Sequence, residues 1–309
     1  MLSKYTYLFL ICIIATSCLT DPVTLELSDI KSTSSVTPLP FSGLIVFVQD
    51  NDIYMMDSIT YKNPKRLTFT PSVPKSMLTL SYGRNKVAYL SNNGTTTYPV
   101  IIDTAGNVLV NLPDEDYVSA MCWNNDGSSL VIRQGTYLSY YGTSLSLNLP
   151  FLHYTNGYYF GFAMSRNKDL AYSYNYTFSN SDYNKIDFFS SSTPDRTGTL
   201  STTKYTERFQ FSNNSDKLLV ANRGYGSDYG IETAYLCNFS DFSRTYVYDG
   251  DFLNPLADIT LTADGNHTIY SYVSQLNSKY VLIYEEINTS NSSKVFYNST
   301  GRITSIDCR

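Results

Sequence analysis

Histidine is nearly missing from this chain: among 309 residues only His153 and His267 occur. Metal sites that gather several imidazoles are therefore excluded. A Ser-His-Asp relay lacks its usual marker, since no G-x-S-x-G turn is present. Charge is also sparse. Asp, Glu, Lys and Arg make up 16% of the chain, against roughly 25% in an average soluble protein. The net charge is -5 and no run of Lys or Arg occurs. A phosphate backbone has no basic stripe to meet, and no nucleic-acid partner is expected. The five cysteines match no zinc spacing. No cofactor and no metal is expected.

Aromatic residues, by contrast, are plentiful: 29 Tyr and 16 Phe. Such side chains suit a pleated, half-buried surface, so the composition points to an all-β fold. The first residues stand apart from it. Lys4 precedes the apolar run Tyr7-Leu8-Phe9-Leu10-Ile11-Cys12-Ile13-Ile14, which is too short to span a bilayer as a helix. Small residues follow, Ala15-Thr16-Ser17, and then Cys18. These are the three parts of a secretory signal. The end of this stretch resembles the lipobox of bacterial lipoproteins, and the resemblance implies cleavage after residue 17 and lipidation of Cys18. An ordinary secretory signal is the alternative. Residues 18–42 read as a lipid anchor and flexible tether, because Lys31-Ser32-Thr33-Ser34-Ser35-Val36-Thr37-Pro38-Leu39-Pro40 is rich in Ser, Thr and Pro and has no apolar period. The expected location is the cell envelope, at the outer membrane. Cys122, Cys237 and Cys308 then remain, and an odd count favours three buried free thiols.

From Gly43 the chain repeats. An apolar anchor, a polar turn and a second apolar strand recur at Leu80 to Val87, Trp123 to Leu130 and Phe211 to Leu218, the anchors seven positions apart each time. Looser copies begin at Met164 and Leu261. The Asn, Asp, Gly and Ser between the anchors supply a tight turn. A period of roughly 40 to 50 residues built from short strands marks a β-propeller blade. The ends complement each other. Gly43-Leu44-Ile45-Val46-Phe47-Val48 matches the second strand of a unit with no first strand before it, and Ile303-Thr304-Ser305-Ile306-Asp307-Cys308 matches an isolated first strand. The expectation is a six-bladed propeller over residues 43–309, with the C-terminal strand closing the first blade and removing two open edges.

The run Asp52-Ile53-Tyr54-Met55-Met56-Asp57, followed by Asn63-Pro64-Lys65-Arg66-Leu67-Thr68, resembles the blade motif of TolB-type propellers, D-I-Y-V-M-D then N-P-R-R-L-T. Trp123-Asn124-Asn125-Asp126-Gly127 is similar to their W-S-P-D-G turn. The resemblance is sharpest in the first three units. It implies fold rather than activity.

Several residue groups bear on function. Asp50-Asn51-Asp52 has too few oxygens for calcium and reads as a hairpin turn. The N-x-S/T tripeptides, such as Asn93-Gly94-Thr95, arise readily in a chain rich in Asn, Ser and Thr, and the lipobox favours a bacterial reading over a glycoprotein. Three aromatic groups sit just before or at the start of inner strands: Asp116 and Tyr117; Tyr158 and Tyr159; and Tyr205, Glu207 and Arg208. At the rim of a propeller channel, rings provide apolar area and polar tips fix orientation. Packing between blades is the plainer role for each Tyr. The resulting expectation is a monomeric, non-enzymatic lipoprotein that binds an envelope protein or a cell-wall or carbohydrate ligand at that rim. The alternatives are a glycan lyase or hydrolase working through Asp116, Glu207 and Asp258, and a pure protein scaffold.

Overall fold

A computed structural model describes residues 37–112, 118–134, 137–141, 159–167, 169–178, 181–190, 193–202, 205–223, 230–250, 256–274, 279–289 and 292–309. The strands fall into antiparallel sheets in chain order. The first holds β1 (Leu44–Gln49), β2 (Asp52–Asp57) and β3 (Lys65–Arg66). The second holds β4 (Lys75–Leu80), β5 (Lys86–Asn92), β6 (Thr97–Asp103) and β7 (Val108–Asn111). Next come β8 (Val118–Trp123), β9 (Leu130–Gln134) and β10 (Tyr137–Tyr141), then β11 (Tyr159–Met164), β12 (Leu170–Phe178), β13 (Ser181–Ser190) and β14 (Thr193–Thr202). A fifth sheet is β15 (Tyr205–Phe211), β16 (Lys217–Arg223), β17 (Ile231–Asn238) and β18 (Arg244–Asp249). The sixth is β19 (Asp258–Leu261), β20 (His267–Ser274), β21 (Lys279–Glu286) and β22 (Lys294–Ser299). The last strand, β23 (Ile303–Cys308), returns to the first sheet, whose order is β23-β1-β2-β3. Cys308 pairs with Ile45 and Ile306 with Phe47.

The anchors are the last hairpin pairs before each turn: Leu80 with Val87, Trp123 with Leu130, Met164 with Leu170, Phe211 with Leu218, Leu261 with Thr268. The residue after each anchor explains the polar letters there. Ser81, Asn124, Ser165, Ser212 and Thr262 each accept a backbone N–H from the far side of their own turn. The side chain thus satisfies a donor that the tight turn leaves without a ladder partner. Gly127 (φ 71°) and Gly265 (φ 70°) sit in these turns in the left-handed region, and a Cβ on them would come within 3.3 Å and 3.2 Å of Ser81 and Ser212 on the preceding blades. Asp50 (φ 49°) and Asn51 (φ 65°) form a two-residue hairpin turn of the primed kind, matching the turn expected there.

The inner strands alternate with period two. One face carries Leu78 and Leu80, Met121 and Trp123, Phe162 and Met164, Phe209 and Phe211, Ile259 and Leu261, Ile306 and Cys308. This face packs on the preceding sheet: Leu78 and Leu80 against Val46 and Val48, Trp123 against Ala88 and Ile101, Phe211 against Ala163 and Ala171. Ile306 and Cys308 pack against Ile269 and Leu282 of the sixth sheet, so the last layer joins the first. The inner strands neighbour one another in the cyclic order β4, β8, β11, β15, β19, β23 and back to β4. The core is therefore a closed set of inter-sheet layers, and the chain is a β-propeller. Cys122, Cys237 and Cys308 are free and buried within it. Burial raises the Cys237 thiol to about 11 and that of Cys308 to about 12.

The packed body starts earlier than Gly43. Leu39 and Phe41 are buried in the layer between the first and sixth sheets. Leu39 N–H donates to Ser58 O, and Tyr61 hydroxyl donates to Thr37 O. Phe41 meets His267 at 5.5 Å and Tyr284 at 5.7 Å between ring centroids. The expected tether of residues 18–42 is thus packed over its last residues, because two apolar side chains fill the groove where the ring closes. Phe41→Ala is expected to lower unfolding free energy by about 3–5 kcal/mol in urea denaturation, the usual cost of emptying a buried phenyl site.

Candidate functional site

A propeller leaves the axis-facing edge of every inner strand without a ladder partner, and buried backbone N–H groups must find acceptors elsewhere. Here the preceding blade supplies them. The Asp258 carboxylate on β19 accepts the N–H of Ile306 on β23 at 2.8 Å, and Thr260 Oγ1 accepts that of Cys308 at 3.1 Å. On β23, Ser305 Oγ accepts the N–H of Leu78 and the Asp307 carboxylate that of Leu80, both on β4. Gln210 Oε1 on β15 accepts the N–H of Leu261 at 2.7 Å. Side chain and amide run in step around much of the ring.

Arg208 ties this arrangement together. Its Nη1 donates to Asp258 at 2.5 Å and its Nη2 to Asp307 at 3.0 Å. Only 16% of its side chain is exposed. Burial alone would lower the guanidinium, but the charges of Asp258 and Asp307 outweigh it and hold it above its ordinary value. Gln210 Nε2 also donates to Asp307 and to Cys308 O. Three successive blades thus carry Arg208 and Gln210, Asp258 and Thr260, Ser305 and Asp307 at equivalent positions. The corresponding residues on β4, β8 and β11 are Met77 and Thr79, Ala120 and Cys122, Gly161 and Ala163. The axial face is polar on one half and small or apolar on the other.

The two ends of the axis differ. At the C-terminal ends of the inner strands, Tyr82 hydroxyl donates to Met164 O at 2.6 Å and Arg309 Nη1 to Phe211 O at 2.6 Å. The Arg309 guanidinium lies over the Tyr82 ring at 4.5 Å. This brace joins four of the strand ends and forms a floor. At the N-terminal ends, five inner strands carry a β-bulge, at Ser76/Thr79, Val118/Ala120, Tyr159/Phe162, Thr206/Arg208 and opposite Val48/Gln49. Bulges re-aim the side chains that follow them.

The residues expected at the rim divide accordingly. Asp116, Tyr117, Tyr158 and Cys18 lie outside the described residues. Tyr159 and Tyr205 open β11 and β15, and Glu207 is the extra residue of the β15 bulge. Arg208 sits deeper than a rim, bridging two carboxylates in the interior. Asp258, considered for glycan chemistry, has its oxygens occupied by Arg208, Ile259 N–H, Ile306 N–H and Ser305. Asp307, Gln210 and Thr260 went unnoticed in the sequence. The available signal was their register: each precedes a strand-end residue, Cys308, Phe211 or Leu261, by one position.

The motif of the first blade has a structural explanation. Asp52 is 1% exposed and accepts from Thr68 Oγ1, Thr70 N–H and Arg66, with Lys75 Nζ at 3.6 Å. Burial would raise the Asp52 carboxyl, but the Thr70 N–H, the Thr68 hydroxyl, Arg66 and Lys75 together leave it below its ordinary value. Its stabilisation is therefore present above the ordinary carboxylate range and is lost as pH falls through the depressed folded value. Asp52→Asn should flatten the acid limb of a stability–pH curve. Arg208→Ala should cost about 3–5 kcal/mol in chemical denaturation, because it leaves two buried carboxylates without their counter-charge. Arg208→Lys should recover only part of that loss, since an ammonium lacks the planar fork that bridges both acids.

No family model matches the chain, and no curated protein does. Among solved structures, TolB from Acinetobacter baumannii is similar with a TM-score of 0.61 and 14% identity, over 88% of this chain and 67% of that one. A chain of a nidogen/laminin complex is similar with a TM-score of 0.56 and 12% identity, over 86% and 98% of the two chains. At such identities the likeness is one of fold: this chain has a β-propeller fold similar to that of TolB.

Proposed function

We propose that this chain is a non-enzymatic envelope lipoprotein, anchored through Cys18, whose propeller binds a protein partner at the N-terminal ends of its inner strands. The observation that carries the proposal is the polarity of the axis. Tyr82 and Arg309 close one end, so a partner reaches the axial polar groups from the other. The segments leading into β8, β11 and β15 carry Asp116, Tyr117 and Tyr158 in the sequence, with Tyr159 and Tyr205 opening the latter two strands. Connecting segments on a rigid scaffold are where binding residues concentrate. The similar fold in a nidogen/laminin complex supports a role in protein association.

The described carboxylates support a binding role over glycan cleavage. A general acid or base needs a proton or lone pair available to substrate. Asp258 and Asp307 instead hold Arg208 and backbone amides. Residues 1–17 act as the export signal in this reading, and a monomer suffices, since the ring buries its own edges.

Site-specific photo-crosslinking in intact cells tests the reading. Probes at Tyr117 and Tyr158 are expected to capture a discrete protein, and probes at Asp126 and Asn214, on turns at the closed end, to capture none. Equal labelling from both faces, or labelled glycan in place of protein, would refute it.

A further inference from the structure

Arg309 is 8% exposed, yet no Asp or Glu side chain lies within ion-pair distance of its guanidinium among the described residues. One guanidinium nitrogen donates to Phe211 O, and the plane rests on Tyr82. Its Nε is buried without a hydrogen-bond partner. Asp307, two residues earlier, is occupied by Arg208, Gln210 and the Leu80 amide. A carbonyl and an aromatic face offset only part of the cost of burying a cation, which ordinarily needs a counter-charge.

Two more arginines stand nearby. Arg84 lies in the β4–β5 turn and Arg166 in the β11–β12 turn, and both are exposed. Arg84 follows Tyr82 by two residues and Arg166 follows Met164 by two, and the Tyr82 hydroxyl bond to Met164 O brings these two strand ends together beside Arg309. The acids of the surrounding turns are engaged locally: Asp126 with Ser128, Asp169 with Ser165, Asp216 with Ser212, and Asp264 with Thr262. Three cationic forks therefore border the closed end of the axis, and the central one retains an unused buried donor. Guanidinium groups match the spacing of two oxygens on one anion.

We propose that the closed end of the axis is an oxyanion site, in which Arg309 forms the base and Arg84 and Arg166 the rim, for a phosphate- or carboxylate-type group. This site lies opposite the proposed partner-binding end and does not depend on that reading. An anion there would complete the brace that Arg309 and Tyr82 begin, linking ligand occupancy to the rigidity of the inner strands.

The test uses the full chain in detergent, with thermal unfolding and calorimetric titration at constant ionic strength in sodium chloride, sodium phosphate or sodium acetate. Phosphate or acetate is expected to raise the melting temperature saturably above the chloride baseline, and the more effective of the two identifies the anion class. The Arg84→Gln/Arg166→Gln double variant alters only exposed side chains. It should keep the chloride melting temperature and bind the effective anion at least about tenfold more weakly, a loss on the scale of one charge-assisted contact. Arg309→Met should abolish the response; if that variant does not fold, the double variant alone decides. A response no greater than chloride, or one unchanged in the double variant, would overturn the site.

Discussion

The interior of this propeller depends on one constraint: the inner strands face the axis with an unpaired edge, and each buried N–H there needs an acceptor. A sheet that ends in solvent leaves that task to water. Here the axis is lined by other inner strands, and protein groups take over part of that task. The chain answers with side chains projected from one blade to the backbone of the next. Asp258 and Thr260 serve β23, Ser305 and Asp307 serve β4, and Gln210 serves β19. Two of these acceptors are carboxylates, which bring charge into the interior. Arg208 is the consequence, since paired and hydrogen-bonded charges are the only ones that can stay buried at moderate cost.

The same constraint explains the asymmetry of the axis. A blade with Ala163 at the equivalent position offers no acceptor to the strand that follows, whereas Gln210, Thr260 and Asp307 on three successive blades do. The charged half of the axis is thus cross-linked by hydrogen bonds from sheet to sheet. The other half relies on apolar contact and on long-range bonds such as Trp123 Nε1 to Thr79 O and Tyr82 to Met164 O. The polar seam includes β23, the strand that returns from the far end of the chain. Closure is consequently held in three ways: by the ladder of β23 on β1, by Asp307 and Ser305 on β4, and by Leu39 and Phe41 filling the groove on the outside.

Much of this was legible in the sequence because it is local or periodic. The anchor spacing follows from a short turn, and the turn residues follow from the acceptors that the turn requires, as Ser81, Ser212 and Thr262 show. The missing first strand at Leu44 and the spare one at Ile303 could be matched because strands pair edge to edge. What could not be read depends on distant partners. Arg208 resembles a surface cation until Asp258 and Asp307, 50 and 99 residues away, are brought beside it. Leu39 and Phe41 stand among prolines and hydroxyl residues with no period to reveal a packed face, and only the groove between the first and last sheets gives them a place. The bulges were invisible for another reason: a one-residue slip alters pairing without altering the composition of a strand.

The arrangement also separates stability from variation. At the closed end the turns after β4, β8, β11, β15 and β19 repeat one plan, with a hydroxyl or amide side chain capping the turn. Gly127 and Gly265 show how little room that plan leaves. At the other end the inner strands are irregular: the bulges at Glu207, Ser119 and Thr304 shift register just before the strand reaches the axis. A shift at that point re-aims the first residues of the strand, which stay paired, while leaving the buried anchors in place. The fold can therefore present different side chains at this end without disturbing the layers beneath, provided that the acceptors for the axial amides are kept. Variation at the bulged end and cohesion at the braced end follow from where the backbone has, and has not, already found its hydrogen-bond partners.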